Sequence, residues 1–363
     1  MSKIQSIDDN FNFGEITRKD IKWLSLENEN LVLYGTPDRR KILTRIDETK
    51  IKRFSEGIQL LGTMTSGVRV RFKTNSQYIV VKAILETSDT MPHMADTGIS
   101  GFDLYYRDYG DHDYKYHKTF QPQLYDVNHR AVVVGETSFS GERREKDIII
   151  NFPLYNGVKD IVFAVENCAL IKPPTPYTIE KPILFYGSSI TQGGCASRPG
   201  NSYPLHLSRW LDADIINLGF SGNAKGEIAM AEHICEKDMS VLVMDYDHNS
   251  PTIEDLEKTY QPFYKCIRNK HQNLPIVMIS RPNFDENPDD SAQRRTVIYN
   301  TYVVARQRGD NHVYFIDGES LFGEKDRDSC TVDGCHPNDI GFIRMAEHIY
   351  PVLKQILTGL YSL

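Results

Sequence analysis

Four short groups of polar residues in the second half of the chain could together carry out acyl transfer through a serine. They are Gly187-Ser-Ser-Ile-Thr191, Asn217-Leu-Gly-Phe-Ser-Gly-Asn223, Asp245-Tyr-Asp-His-Asn249 and Asp333-Gly-Cys-His336. A serine nucleophile needs a base that takes its proton, a group that orients the base, and donors for the developing oxyanion. Ser, Gly, Asn and an Asp/His pair supply each of these parts once.

Alternating strands and helices are expected to position these groups. Helical spacing predicts a long last helix at 339–357, with shorter helices before it at 202–211, 224–236, 253–268 and 292–307. Apolar runs predict strands at 183–186, 215–218, 241–244, 276–279 and 313–316. This alternation favours a parallel sheet of about five strands covered on both faces, a three-layer α/β/α domain. In such sheets the site lies outside the carboxyl ends of the strands, where the polar groups fall.

The first half of the chain is predicted to be all-β. Turn residues separate short β-rich runs at 31–34, 68–72, 78–85, 102–107, 131–134, 147–152 and 160–165. Their spacing favours a sandwich or jelly roll. The stretch Lys172-Pro-Pro-Thr-Pro-Tyr177 is typical of a stiff linker, because a residue before proline avoids the helical region. We therefore predict a β domain at residues 1–176 and an α/β domain at residues 177–363.

The polar groups resemble the sequence blocks of the SGNH hydrolases (GDSL-like esterases), a family named for a Ser, a Gly, an Asn and a His. Gly187 to Thr191 is similar to the first block, which implies that Ser189 is the nucleophile and that Ser188 stands in the usual Asp position. The last group is similar to the final block, which implies His336 as the base and Asp333 as its partner. The family fold is flavodoxin-like, and the resemblance runs from about residue 181 to the end.

The same resemblance implies an oxyanion hole. The second group supplies Gly222, and the main-chain N–H of Ser189 is a second donor. The third group departs from the family's Gly-x-Asn-Asp, and Asn249 is taken as the side-chain donor. No cofactor and no metal are required by this chemistry.

The first half carries a resemblance of its own. Gly101-Phe-Asp-Leu-Tyr105 is similar to the Gly-x-Asp-Leu-Tyr signature of a β-rich domain that precedes a subset of these hydrolases. Those members resemble carbohydrate esterases that remove acetyl groups, so the resemblance implies a serine acetylesterase. Its expected substrate is a small-molecule or oligosaccharide acyl ester, cleaved through an acyl-enzyme on Ser189. Asp103 is expected to form a hydrogen bond across the domain junction.

Other interpretations stay open. Ser189, Gly222 and Asp333-Gly-Cys-His336 are also compatible with plain turns, and Asn249 with a cap of the following helix. His248 is a rival base and His93 a residue that could reach the cleft, whereas Cys195 and Cys335 are interpreted as packing residues. The alternative functions are a lipase or thioesterase on longer acyl chains, a carbohydrate-binding protein with a degenerate site, and an acetyltransferase.

The amino-acid composition limits the kinds of partner that this protein is expected to bind. The 363 residues carry a net charge of −7, which argues against nucleic acid as a partner because phosphate binding needs clustered Lys and Arg. No apolar run approaches the roughly 20 residues that would span a membrane. The first ten residues lack an apolar signal core, which predicts a cytoplasmic protein. The six cysteines show no Cys-x-x-Cys and are expected to be free thiols. A homo-oligomer is left open.

Overall fold

The structure, a computed structural model, describes residue 16 and residues 18–37, 43–123, 131–282 and 284–361. The first ten residues, on which the predicted location rests, lie outside this set. Residues 21–172 form an antiparallel β region, and residues 179–361 form an α/β region. The boundary predicted between residues 176 and 177 stays a prediction. Within the described residues, no helix has both the length and the apolar character needed to cross a membrane.

The β region consists of two packed antiparallel sheets, which confirms the predicted sandwich. One sheet has the order β1-β10-β4-β8-β7, and the other has the order β11-β3-β9-β5-β6 with β2 paired to β3. Between them lies a core that includes Val70, Phe72 and Phe163. The strands are β1 Ile21–Ser25, β2 Val32–Tyr34, β3 Arg69–Thr74, β4 Tyr78–Leu85, β5 Phe102–Asp108, β6 Lys115–Phe120, β7 Pro122–Gln123, β8 Val132–Ser138, β9 Lys146–Asn151, β10 Val158–Glu166 and β11 Ile171–Lys172.

Several elements of the β region were not predicted. Strands β1 and β6 are edge strands with mostly exposed or half-exposed side chains, so they lack the apolar face that makes a strand visible in a sequence. Helix α1, Glu56–Gly62, begins after Ser55, whose side chain accepts a hydrogen bond from the N–H of Ile58. Ile58 packs into the core of the α/β region, which is why a helix occurs in an otherwise all-β half. A short helix, α2, spans Asp96–Ile99.

The α/β region confirms the predicted flavodoxin-like fold. Its parallel strands are β12 Ile179–Gly187, β13 Ala213–Gly219, β14 Val241–Asp245, β15 Ile276–Ile279 and β16 Val313–Ile316, in the order β13-β12-β14-β15-β16. The helices are α3 Ser189–Gln192, α4 Tyr203–Leu211, α5 Ile228–Cys235, α6 Ile253–Lys270, α7 Pro288–Gln307 and α8 Asp339–Tyr361. Ile183 and Phe185 of β12 face one apolar core, and Leu184 and Tyr186 face the other, so the central strand is buried on both sides.

Helix α5 begins four residues later than the sequence predicts. Gly226 has a φ of +74°, which a right-handed helix cannot include. Its N–H donates to the hydroxyl of Tyr186, 3.0 Å away, and a Cβ at this position would lie 2.5 Å from the hydroxyl of Tyr246. The close approach of the loop to Tyr186 therefore delays the helix.

The junction between the two regions contains a buried ion pair. Arg69 Nη2 lies 2.6 Å from Asp214 Oδ1, and both side chains are almost fully buried. Arg69 Nε also donates to the hydroxyl of Tyr177 at 2.8 Å, and the guanidinium of Arg71 lies 3.8 Å from the centre of that ring. The predicted linker is therefore packed against the rest of the protein, because Tyr177, its last residue, contacts both Arg69 and Arg71.

Strand register brings three of the four polar groups together. Gly187, the last residue of β12, pairs with Gly219 of β13 on one side and with Asp245 of β14 on the other. The loops that follow these three strands therefore leave the sheet at the same edge. Because β13 and β14 flank β12 on opposite sides, this edge is the topological switch point where doubly wound sheets bind ligands.

Candidate active site

The predicted nucleophile opens a short helix at the switch point. Ser189 is the first residue of α3, and the side chain of Ser188 accepts a hydrogen bond from the N–H of Ile190 at 3.2 Å. Gly187 is required by close packing, since a Cβ there would lie 2.0 Å from Thr191 Oγ1 and 2.4 Å from the carbonyl oxygen of Asp245. The first main-chain N–H groups of such a helix have no partner within the helix itself.

His336 lies beside Ser189. Its Nε2 is 3.0 Å from Ser189 Oγ, and its Nδ1 is 2.8 Å from Asp333 Oδ2. Ser189 is only 8% exposed, whereas the His336 side chain is 24% exposed, so solvent reaches the histidine more readily than the serine. The structure thus brings the three predicted catalytic residues into one hydrogen-bonded chain.

The loop that carries Asp333 and His336 is closed on itself before α8 begins. The N–H of Val332 donates to the carbonyl of His336 at 2.9 Å, and Gly334 has a φ of +82° at the tip. Asn338 caps α8, because its Oδ1 accepts from the N–H groups of Ile340 and Gly341. The loop that carries His336 is therefore fixed directly to the start of helix α8.

Asp333 is held in its ionised form. Partial burial opposes ionisation, but hydrogen bonds from the main-chain N–H and the ring of His336, together with the N–H of Cys335, lower the pKa of Asp333 to about 2. Its Oδ1 accepts the two main-chain N–H groups and its Oδ2 accepts the ring. The negative carboxylate favours a proton on Nδ1 and leaves the lone pair of Nε2 facing Ser189.

The two other residues predicted for the oxyanion hole follow β13 and β14. Gly222 has a φ of +67°, and a Cβ there would meet no atom within 4 Å, so this turn borders open space. Asn249 Nδ2 donates to the carbonyl of Phe220 at 2.9 Å. Since a side-chain amide has two N–H donors, this contact orients the amide and leaves its second N–H for a ligand.

The third group begins with a buried acid at the end of β14. Asp245 Oδ2 accepts hydrogen bonds from Thr191 Oγ1 at 3.0 Å and from the hydroxyl of Tyr203 at 2.9 Å. Burial first, and then the charge of Asp247, raise the pKa of Asp245 to about 7. Asp247, which accepts the N–H of Arg281, has its pKa raised to about 6, mainly by burial. Asp245 therefore joins the end of β14 to helix α3.

One residue under the site has no sequence signal. Arg45, from the β region, is almost fully buried and donates to the carbonyls of Asn217 at 3.2 Å and Gly219 at 2.5 Å. It also donates to the carbonyls of Leu61 and Met64. Burial lowers its pKa to about 9. The guanidinium thus fixes the end of β13, from which the Gly222 turn departs, and no motif around residue 45 indicates this role.

The β region also forms hydrogen bonds with helix α3, the short helix that begins at Ser189 and is called the nucleophile helix below. Ser66 Oγ donates to the carbonyl of Gln192 at 2.6 Å, and Gln192 Nε2 donates to the carbonyl of Leu154 at 3.1 Å. Gln192 Oε1 in turn accepts the N–H of Ser221 at 3.0 Å. The hydroxyl of Tyr155 donates to the carbonyl of Ser189 at 3.4 Å. One glutamine therefore links the β region, the nucleophile helix and the Gly222 turn.

The predicted contact of Asp103 across the junction is present. Its Oδ2 accepts the N–H of Gly200 at 2.7 Å, and its Oδ1 accepts the amide of Asn151 at 2.8 Å. Burial raises the pKa of Asp103, and these hydrogen bonds counteract part of the rise. Asp103 thus pins the loop that leads into α4.

His93 reaches the site from the β region, as the sequence allowed. Its ring centre lies 5.5 Å from that of His336. Cys195, interpreted from sequence as a packing residue, is buried but also lies beside these two histidines, within a group whose donor atoms are all within 4.8 Å of one another. Burial raises the pKa of Cys195 to about 12, with the charge of Asp333 adding to the rise. Burial therefore favours the protonated thiol, which is a poor nucleophile.

Known families match both regions of the chain. Residues 180–354 match the model of the GDSL-like lipase/acylhydrolase family. Residues 21–171 match a model described as the N-terminus of an SGNH-hydro-type esterase, named for its Gly-x-Asp-Leu-Tyr signature. No curated protein sequence matches the chain.

Solved structures with similar folds include enzymes of ester chemistry. A protein described as a GDSL-like lipase from Bacteroides ovatus ATCC 8483 is 28% identical, with a TM-score of 0.83 over 93% of this chain and 98% of that one. A salicylyl-acyltransferase from a tetracycline biosynthetic pathway is 19% identical, with a TM-score of 0.73 over 93% and 98%. A family two carbohydrate esterase from Clostridium thermocellum, solved with cellohexaose, is 16% identical, with a TM-score of 0.57 over 80% and 93%.

Proposed function

The chain combines a GDSL-like lipase/acylhydrolase domain with the N-terminal domain of SGNH-type esterases, and on this premise we propose that it deacetylates oligosaccharides. Its general activity is ester hydrolysis. The proposal adds the acyl group, the substrate class and the residues that act.

The hydrogen-bonded chain from Ser189 through His336 to Asp333 carries the catalytic part of the proposal. Ser189 Oγ attacks the ester carbonyl while His336 Nε2 takes its proton. Asp333 keeps the ring oriented and stabilises the imidazolium that forms. His336 then returns the proton to the leaving alcohol, and the acyl group remains on Ser189. A water molecule, deprotonated by His336, releases the acyl group and regenerates the serine.

Negative charge that develops on the carbonyl oxygen needs donors already in place. In the proposal these are the main-chain N–H groups of Ser189 and Gly222 and the side-chain amide of Asn249. Ser189 belongs to the first turn of α3, whose N–H groups have no partner within the helix. The contact of Asn249 with the carbonyl of Phe220 supports its role, because an amide held in advance needs no reorganisation during the reaction.

The substrate class rests on similarity. The segment from Gly101 to Tyr105 belongs to the domain type that precedes SGNH-type esterases, and a fold neighbour is a carbohydrate esterase solved with an oligosaccharide. Exposure of the His336 side chain agrees with a bulky alcohol that stays outside while its small acyl group enters. Acetyl esters of oligosaccharides combine these features.

The test is hydrolysis of p-nitrophenyl acetate, butyrate and octanoate, followed by acetylated xylo- and manno-oligosaccharides. We expect preference for acetate and release of acetate from the oligosaccharides. Ser189→Ala should lower kcat by about a million-fold, as loss of a serine nucleophile does. Ser188→Ala is the matched control: it removes only the helix cap, at about 1 kcal/mol of stability, and should keep most of the turnover.

Other results would replace the proposal. Preference for octanoate would favour a lipase or thioesterase, and transfer of acetyl to a sugar instead of water would favour an acetyltransferase. Binding of oligosaccharides without turnover of any ester by the folded protein would leave a carbohydrate-binding protein. Cytoplasmic location stays a prediction from the sequence.

A further inference from the structure

A group of three metal-binding side chains adjoins the nucleophile. One donor atom from each of His93, Cys195 and His336 lies within 4.8 Å of the other two. Around a tetrahedral zinc ion, with bonds of roughly 2.0–2.3 Å, ligand atoms stand about 3.3–3.8 Å apart. Shifts of about 1 Å, smaller than the swing of an exposed histidine side chain, would bring the three atoms to that spacing.

From this geometry we propose that His93, Cys195 and His336 bind one zinc ion, which holds the enzyme in a reversibly inhibited state. Two imidazoles and one thiolate form a ligand set that suits Zn²⁺, and they leave one tetrahedral position for water. Neither region of the chain holds this set alone, since His93 comes from the β region and the other two ligands come from the α/β region.

His336 already has the surroundings of a zinc ligand. A histidine that binds a metal through one ring nitrogen usually donates its other N–H to a carboxylate, which fixes the tautomer and strengthens the ligand. Asp333 accepts this hydrogen bond from Nδ1 at 2.8 Å. The lone pair of Nε2 is therefore the one presented to a metal, and it is also the one that the reaction uses.

The two other ligands are held close to this ring. His93 lies in a tight turn closed by a bridge between Met91 and Met94, and Met94 is buried in the apolar core. Cys195 has a φ of +73°, an uncommon value for a residue with a side chain. Its neighbour Gly194 packs so closely on the base that a Cβ there would lie 3.3 Å from His336 Cδ2.

Binding involves no redox change. The ion takes the lone pairs of two ring nitrogens and of the Cys195 sulfur, whose thiol proton passes to solvent. Once the lone pair of His336 Nε2 is bound to zinc, it cannot accept the proton of Ser189, and attack on the ester stops. Metal binding stands independently of the proposed ester hydrolysis, whereas the inhibition rests on it.

Cobalt(II) tests the binding without any activity assay. Titration of the metal-free protein with Co²⁺ should give one equivalent of tetrahedral Co²⁺, with visible d–d bands and a thiolate-to-cobalt band in the near ultraviolet. Zn²⁺ should abolish both. Cys195→Ala should lose the thiolate band, and the matched variant Cys335→Ala should keep it. Absence of the thiolate band from the wild type, or its persistence in Cys195→Ala, would overturn the proposal.

Inhibition is measured on p-nitrophenyl acetate with buffered free Zn²⁺. Zinc should inhibit the wild type, and EDTA should restore full turnover. Removal of a residue that only hydrogen-bonds a metal ligand already costs about 10- to 100-fold in metal affinity. His93→Gln removes a ligand itself, so it should raise the half-inhibitory concentration of zinc at least about tenfold. His112→Gln, a distant histidine, should leave it unchanged. A protein that shows the cobalt bands but keeps full turnover in zinc would refute the inhibition. A protein that shows the bands but hydrolyses no ester would keep the metal site and reject the esterase proposal.

Discussion

Asp333 holds His336 with both of its carboxylate oxygens. Oδ2 accepts the ring Nδ1 at 2.8 Å, and Oδ1 accepts the main-chain N–H of the same histidine at 2.7 Å. Because Asp333 stands three residues before His336, its one side chain fixes both the backbone and the ring of this histidine. This double contact also explains why the pKa of Asp333 lies below its ordinary value although the carboxylate is partly buried, since each hydrogen bond favours the ionised form.

Asp333→Asn should lower kcat by about 10,000-fold with little change in KM. The amide cannot stabilise the imidazolium, and its N–H favours the wrong tautomer of His336. Steady-state kinetics on p-nitrophenyl acetate measure the effect. The exposed Asp328→Asn, on the preceding turn, is the control and should behave as the wild type. Equal kinetics for the two variants would remove Asp333 from the mechanism.

Asn249→Ala should lower kcat by about 100- to 1,000-fold, the usual cost of one oxyanion donor. The matched control is Asn223→Ala, because Asn223 Nδ2 also donates to a main-chain carbonyl, that of Ser221, at 2.7 Å. Both variants lose a hydrogen bond of similar kind, so a difference in kcat isolates the second N–H of Asn249. If both variants lose turnover equally, the oxyanion donor lies elsewhere.

Arg45→Met should destabilise the protein by about 3 kcal/mol or more. It leaves the buried carbonyls of Asn217 and Gly219, among others, without their donor, and each such group costs about 1–3 kcal/mol. Urea unfolding measures the loss. Arg53→Met is the control: Arg53 pairs with Glu232 and Glu236 at the surface, where such pairs contribute at most about 1 kcal/mol. Similar values for both variants would contradict the assigned role.

Asp245→Asn should remove a contribution to stability that falls as pH rises. The pKa of Asp245 in the folded protein is about 7, above its ordinary value, so between about pH 4 and 7 the folded protein binds a proton that the unfolded chain does not. Asp245 therefore contributes stability that is lost as pH rises through this window, with the loss complete above about pH 7. His206 and His233, whose pKa values are lowered by burial, contribute in the opposite direction. Asparagine accepts the same hydrogen bonds from Thr191 and Tyr203 without ionising.

Unfolding in urea at pH 5 and pH 8 measures this difference. The exposed Asp238→Asn is the control and should keep the wild-type slope. A residual slope in Asp245→Asn is expected from Asp247, whose pKa is raised to about 6. An unchanged slope in Asp245→Asn would show that Asp245 is ionised throughout.

Local sequence patterns were sufficient to predict several strands of this protein and the residues of its candidate site. Strands 78–85, 276–279 and 313–316 were predicted with their observed bounds, because buried strands form continuous or alternating apolar runs. The Ser189, Asp333 and His336 group was found because its residues resemble the first and last sequence blocks of the SGNH family, in the family's order. The structure brings these three into hydrogen-bonding reach, and their catalytic roles stay a proposal.

Contacts between distant segments left no such pattern. Arg45 meets Gly219 across 174 residues, and nothing near either position indicates the other. Cys195 was assigned to packing because no base adjoins it in the sequence, yet loop closure places two histidines beside it. The edge strand β6 was missed since one polar, exposed strand carries no periodic apolar signal.

The glutamine that links the β region to the nucleophile helix limits how this protein can be recombined. Ser66 donates to the main-chain carbonyl of Gln192, and the side-chain amide of Gln192 donates to the carbonyl of Leu154, so two contacts from the first half of the chain converge on one residue of the second half. A chimaera that joins this α/β region to a relative's β region should stay active only when the incoming half presents matching groups at those two points. Swapping experiments should therefore preserve both contacts together.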